Sequence, residues 1–404
     1  MSDALEGLKV VEFGEFISAP FCGKLLADLG AEVIKIEAPK VGDESRRFGP
    51  FPGDVPHREK SGAFLYLNTN KQSVTLNPKT ATGQDIFKSL IADADVLVEN
   101  QQPGVMEELG LAYRDLAKVN PQLIHTSITS FGHSGPYAKF KGYDLQSWEG
   151  SGVAHRWCGE PDQEPIRGAW YHANHWGGVC GATTIMIALT GRDLTGEGQF
   201  VDVSEADCMA CHILGYELVT LYNLTGEHLE RAGEEMRGGA PVGLLTCKDG
   251  YFYIMALEVH HWRGVVKAMG SPEWATNPLY DAPSWVRAEY GDAIRMQMQP
   301  WLDAHTKDEL FDLFQAQHVP AGPLYTTGEL LKNKHLNQRG FFATPEHPAA
   351  GSLKMPGAPY KLTETPWHIR MPAPTLGQHN QLIYGGRLGF SNVDLTDLRR
   401  TGII

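Results

Sequence analysis

The opening stretch from Leu8 to Glu37 constrains the fold more than any other part of this chain. Leu8-Lys9-Val10-Val11-Glu12-Phe13 is rich in strand-forming side chains, and Ala31-Glu32-Val33-Ile34-Lys35-Ile36-Glu37 restores that character after one helix-length interval. Between them Ser18 is the expected N-cap and Pro20 suits the first turn. Phe21, Leu25 and Leu29 recur at helical spacing, and Gly30 is a natural stop. Strand, helix and strand in that order imply two parallel strands joined by a right-handed crossover, the unit from which α/β folds are assembled.

The same alternation continues. Strands are expected at Ser73 to Leu76, Val96 to Val98 and Leu123 to Ser130, with a helix from Gly83 to Ala92. A parallel sheet of this kind binds ligands outside the carboxyl ends of its strands. Phe13 to Ser18, Glu99 to Gln102 and Phe131 to Lys141 should therefore surround one crevice. An apolar helix follows Asn174 to about Thr190, and Ser204 to Leu221 has helical character. Arg231 to Gly243 is Gly-rich and reads as a mobile loop. Beyond it come a strand from Tyr251 to Leu257 and helices around Trp262 to Met269 and Lys307 to Gln317. Val319-Pro320-Ala321-Gly322-Pro323 resembles a linker. The expected organisation is a Rossmann-like large α/β domain over residues 1–225, a smaller α+β domain over 226–329, and a C-terminal segment, 330–404, that returns to the large domain.

Composition removes several classes of function. A net charge of -13 disfavours nucleic acid, whose phosphates need a basic surface. No apolar run approaches the roughly 20 residues that span a bilayer, and the acidic start Met1-Ser2-Asp3 points to the cytoplasm. The six cysteines are scattered, as reduced thiols are. Cys208-Met209-Ala210-Cys211-His212 matches a haem-attachment pattern but falls in a helical stretch, where small buried residues explain it equally well. The first β–α–β unit invites a dinucleotide, with Glu37 on a ribose hydroxyl. Its loop, Gly14-Glu15-Phe16-Ile17-Ser18-Ala19, lacks the spaced glycines that let a pyrophosphate approach the backbone. His172 and His175 lack the further ligands a zinc site requires, so no metal is expected.

A series of short motifs runs the length of the chain in fixed order. Pro20 to Glu37 comes first, then Leu67-Asn68-Thr69-Asn70-Lys71, Glu99-Asn100 and Phe131-Gly132-His133-Ser134-Gly135-Pro136-Tyr137. Gly142-Tyr143-Asp144-Leu145, the run from Ile166 to Gly178, Thr195-Gly196-Glu197-Gly198-Gln199 and Leu376-Gly377-Gln378-His379-Asn380 follow. Taken together these resemble the class III CoA-transferase family, whose members include formyl-CoA, carnitine and benzylsuccinate CoA-transferases. The resemblance implies a Rossmann-like large domain plus a small domain, with two chains interlocked like links. It also implies an aspartate nucleophile that is acylated and then carries CoA as a thioester, coenzyme A or acyl-CoA being the substrate.

At the position where the resemblance places that aspartate stands Asn174. An amide has no anionic oxygen to acylate, so no catalytic residue is intact in this chain on its own. The family pattern would put CoA on Ile17 and Ser18, on Leu76 through Lys79, on Asn100 and Gln101, and on Lys141. Ala38 and Glu108 stand where active homologues often carry arginines, and Gln101-Gln102 replaces an aromatic–arginine pair, so CoA binding is expected to be weak. Trp157, Trp170, Tyr171, His172, His175 and Trp176 are expected to fill a remodelled pocket or to line a subunit contact. The resemblance therefore implies a hetero-oligomer in which an Asp-bearing homologous chain supplies the nucleophile. A stand-alone acyl-CoA-binding or regulatory protein, an Asp-to-Asn variant of an active enzyme, and an NAD-dependent oxidoreductase remain as alternatives.

Overall fold

The computed structural model describes residues 3–214, 218–229, 231 and 239–404. They form two compact units. The larger comprises Met1–Val153, Arg167–Glu227 and Gly340–Ile404, and the smaller comprises Ala154–Ile166 and His228–Arg339.

In the larger unit β1 (Lys9–Phe13), β2 (Glu32–Glu37), β3 (Lys71–Thr75), β4 (Val96–Glu99), β5 (Ile124–Thr129) and β6 (Gln199–Ser204) form one sheet in the order β3-β2-β1-β4-β5-β6. Every pairing is parallel. This is the Rossmann order, and its reversal between β1 and β4 opens a crevice at their carboxyl ends. Alternation sends Val10, Val33, Val96 and Ile124 to one face, against α1 (Ser18–Ala27). Val11, Ile34, Val74 and Leu97 go to the other, where α2 (Ala81–Ile91) covers them with Ile86, Phe87 and Leu90. Among the further helices before β6 are α3 (Asp144–Gly150) and α4 (His172–Thr195), and α5 (Glu205–Leu214) follows it directly. Residues 215–217 and 232–238, which fall within the expected helical stretch and Gly-rich loop, lie outside the described residues.

Two local expectations for α1 need correction. Ser18 is the first helical residue rather than the cap; Ile17 occupies the cap position and supplies no side-chain bond. Phe21 and Leu25 are only half-buried, whereas Ala19, Cys22 and Leu26 face the core. The reason is packing on both sides. With the sheet on one side and α4 on the other, small residues carry the close contacts.

The smaller unit holds an antiparallel sheet, β7 (Val242–Cys247), β8 (Gly250–Met255) and β9 (Ala321–Leu324), in the order β7-β8-β9. Helices α6 (Val259–Ala268), α7 (Gly291–Leu302) and α8 (Lys307–Gln315) bury Trp262, Val265, Ile294, Met298, Leu310 and Phe314 with Phe252 and Ile254. The Ala321-Gly322-Pro323 stretch is thus a strand, not a linker. Its proline is tolerated because β9 lies at a sheet edge. No helix among the described residues is long and apolar enough to cross a membrane.

Candidate active site

The crevice is built on a floor of buried charge. Glu12 on β1, Lys35 on β2 and Lys71 on β3 occupy three adjacent strands, and Asp43 follows in the loop after β2. Lys35 Nζ lies 2.7 Å from Glu12 Oε1 and 2.6 Å from Asp43 Oδ2, and Lys71 Nζ lies 2.8 Å from Glu12 Oε2. All four side chains are fully buried. Burial drags the Lys71 ammonium down to about 8, with Glu12 resisting. Burial pushes the Asp43 carboxyl up, but the Lys35 charge and bonds from Lys35 and Ser45 outweigh it and leave it below the ordinary range. The network holds the β1–α1 loop: Lys35 Nζ donates to Gly14 O at 2.9 Å, and Phe16 N–H donates to Asp43 Oδ1 at 3.1 Å. Phe16 sits at φ 66°, a left-handed conformation that these contacts maintain.

Asn100, just past β4, ties the other side of the loop. Its Oδ1 accepts from Glu15 N–H at 2.9 Å, and its Nδ2 donates to Glu15 O at 2.8 Å and Ser18 Oγ at 3.1 Å. A side chain at Gly14 would run into Ala19 Cβ and the Asn100 amide, so only glycine permits this approach. Gln101 N–H donates to Glu99 Oε2 at 2.6 Å, and Gln101 Nε2 donates to Phe13 O at 3.2 Å.

A cavity of about 480 Å³ opens above this floor. Its wall includes Ser18, Asn100, Gln101, Lys141 and Asn174, so the carboxyl ends of β1, β4 and β5 do converge on one space. Ile17 is buried beside it. Leu76 and Lys79 lie elsewhere: Leu76 is in the core with its N–H bonded to Glu37 O, and Lys79 is exposed on the turn before α2. Ala38 and Glu108 are also exposed and are not part of the wall. Among the described residues, Lys141 is the one cation lining this cavity, which Glu15, Glu44, Asp144 and Glu205 line as well. Glu37, the residue a dinucleotide would need for its ribose, is already occupied. It accepts from Arg46 Nε at 2.6 Å, Arg46 Nη2 at 2.9 Å, Ser73 Oγ at 2.6 Å and Asp43 N–H at 2.9 Å.

Asn174 is the third residue of α4 and is buried at the cavity wall. Its backbone N–H, one of the unpaired donors of a helix start, donates to Asp144 Oδ1 at 3.1 Å. Its side-chain Nδ2 donates to both oxygens of Glu205, each at 2.9 Å. Ser147 Oγ donates to Glu205 Oε2 at 3.1 Å. Burial pushes the Glu205 carboxyl above its ordinary range; bonds from Asn174, Ser147 and Ser18 counter this, and Asp144 adds to the rise.

The aromatic group does not fill this space. Trp170 is 64% exposed, and Tyr171 is the one member of the group on the cavity wall, its ring against Phe16 and Phe48. His175 packs on Phe21 and His172 on Trp148. The side chain of Trp157 lies outside the described residues. Sequence reading missed Glu205 and Asp43. The available signal for Glu205 was its place directly after a sheet strand, at a carboxyl end like the others.

Comparison with known proteins adds the family. The model of CoA-transferase family III matches residues 5–380. Succinyl-CoA–D-citramalate CoA-transferase of Chloroflexus aurantiacus is 32% identical, over 99% of this chain and 98% of its own. The beta subunit of succinyl-CoA–L-malate CoA-transferase from the same organism is also 32% identical, over 99% and 98%. A CAIB/BAIF family protein from Brucella suis superposes with a TM-score of 0.84 at 29% identity, covering 96% of this chain and 100% of that one. With the Rossmann-ordered sheet and a match spanning nearly its whole length, the chain belongs to CoA-transferase family III.

Proposed function

We propose that this chain is the nucleophile-less subunit of a heteromeric CoA-transferase that moves CoA from succinyl-CoA to a carboxylic acid of the benzylsuccinate type. One observation carries the reading: the side chain at 174 is an amide, buried at the wall of the crevice and bonded to a neighbouring carboxylate. The exchange needs a carboxylate that attacks the donor's thioester carbonyl, expels CoA as thiolate and becomes a mixed anhydride. The thiolate then attacks the enzyme's own acyl carbon, which releases the donor acid and leaves an enzyme–CoA thioester. The acceptor carboxylate reverses these two steps and regenerates the enzyme carboxylate. Asn174 can start none of this, so a homologous chain bearing aspartate performs it. Two relatives named for succinyl-CoA support the donor, and one of them is itself a subunit. Four acidic side chains lining the cavity beside the single cation Lys141 support weak binding of anionic CoA in this chain's own cavity.

Assays of the chain alone and coexpressed with an Asp-bearing homologue test this, using succinyl-CoA with benzylsuccinate and other dicarboxylates. The mixed complex is expected to turn over at about 1 per second or faster, and the chain alone is expected to be silent. Turnover at that rate by the isolated chain overturns the proposal. Calorimetry is expected to find CoA affinity weaker than about micromolar, a Kd that corresponds to roughly −8 kcal/mol. Micromolar binding without turnover would favour the stand-alone acyl-CoA-binding protein.

A further inference from the structure

Glu205 opens α5 immediately after β6, is 2% exposed, and no ion pair reaches it among the described residues. The groups facing it are Ser18 from α1, Ser147 and Asp144 from α3, Asn174 from α4, and Cys208 one turn along its own helix. The nearby cations serve other groups or the open cavity: Arg167 Nη2 stands 3.9 Å from Asp144 Oδ2, and Lys141 lines the cavity. A buried carboxylate is thus held by neutral donors, and the amide of Asn174 is the one that reaches both of its oxygens.

We infer that Glu205 is the positioning residue that sets the chemistry required at 174: an amide there completes its cage of neutral donors, whereas a carboxylate there would face it as a second anion. The inference rests on the reading above for its functional meaning, since it explains why the nucleophile cannot return by one substitution. In Asn174→Asp two carboxyl groups would stand about 2.9 Å apart. Like charges so close cannot both ionise freely, so the pair would retain a proton and neither member would be a free nucleophile. Glu205→Gln in the same chain reverses the polarity of the pair, with the glutamine amide donating to the aspartate.

Thermal unfolding of the full chain, in whatever assembly it forms, tests this across pH 5 to 9 for the native protein, Asn174→Asp, Glu205→Gln and the double variant. A facing carboxyl pair has its proton affinity raised in the folded state. Its stability is therefore present at low pH and lost as pH rises. Asn174→Asp is expected to melt roughly 5 °C or more below the native protein at pH 8 and to close that gap toward pH 5. The double variant is expected to recover most of the loss at pH 8. Asp144 and Cys208 are present in all four proteins, so the comparison among them isolates the change at 174 and 205. If Asn174→Asp is insoluble, recovery of soluble protein by adding Glu205→Gln reads the same way. A curve for Asn174→Asp that follows the native one at every pH, or a double variant no better than the single, overturns the inference. Melting does not depend on turnover, so failure of the heteromer reading in the assays leaves this result separately readable.

Discussion

Asp43 accepts from the Phe16 and Ser45 backbones while pairing with Lys35, and so joins the charged floor to the crevice loop. Asp43→Ala is expected to cost about 3–5 kcal/mol in urea unfolding, because it leaves the buried Lys35 short of a partner. The folded-state carboxyl lies below its ordinary range, since Lys35 and Ser45 outweigh burial. Its contribution is therefore fully present above the unfolded value and is lost as pH falls through the folded one. The difference between native and variant should hold from pH 5 to 8 and shrink below about pH 4. A difference that instead grows in acid would contradict this assignment. Ser18, Asn100, Gln101 and Lys141 were legible as neighbours because each lies at or beyond a strand's carboxyl end, whereas Asn174, inside α4, was singled out by the family resemblance alone. The charged floor was not. Glu12, Lys35 and Lys71 look like ordinary polar positions in their strands, and only the parallel register brings them together in the interior.

The long helix α4 owes its seat to glycine. A Cβ at Gly178 would come within 2.8 Å of Ser18 O and one at Gly181 within 2.6 Å of Ile128 Cδ1, so α4 lies almost against α1 and the sheet. Gly178→Ala is expected to destabilise by about 1–3 kcal/mol, because the obstacle is backbone and α1 would have to move. Gly191→Ala on the same helix meets only Gln199 Nε2 at 3.8 Å and should gain up to about 1 kcal/mol of helix propensity. Denaturant midpoints of the two variants should thus move in opposite directions; shifts of the same sign would refute the packing argument. Elements with a strong compositional signature, such as the β-rich runs of β1 and β2 and the apolar run of α4, were visible in the sequence. The strands β7 and β9 were not, because a Gly-rich approach and an Ala-Gly-Pro run carry turn chemistry that tertiary pairing with β8 overrides.

At the scale of the whole larger unit, the segment from Gly340 to Ile404 closes what the first half of the chain leaves open. β3 is an edge strand, and unpaired edge groups are a liability. The returning chain satisfies them: Ser73 N–H donates to His379 Nδ1 at 3.1 Å, Thr75 N–H donates to Asn380 Oδ1 at 2.9 Å, and Asn380 Nδ2 donates to Thr75 Oγ1 at 2.8 Å. Tyr384 OH then donates to Thr75 O at 2.9 Å, and Leu395, Leu398 and Ile404 complete the core beneath α2. The Leu376-Gly377-Gln378-His379-Asn380 motif therefore has a structural role on the sheet edge beside the crevice floor. Asn380→Ala is expected to cost about 1–3 kcal/mol by orphaning the Thr75 donor, and Leu395→Ala about 2–5 kcal/mol through the cavity it leaves. Removing residues 376–404 takes away both edge cover and core, so soluble expression should be lost and an exposed β3 should drive association. A truncated chain that stays monomeric and keeps the native melting temperature would show that the edge needs no cover. Because β3 carries Lys71 into the charged floor, loosening its edge should also loosen the β1–α1 loop: hydrogen exchange at Phe16 should accelerate in Asn380→Ala even though the two residues belong to opposite ends of the chain.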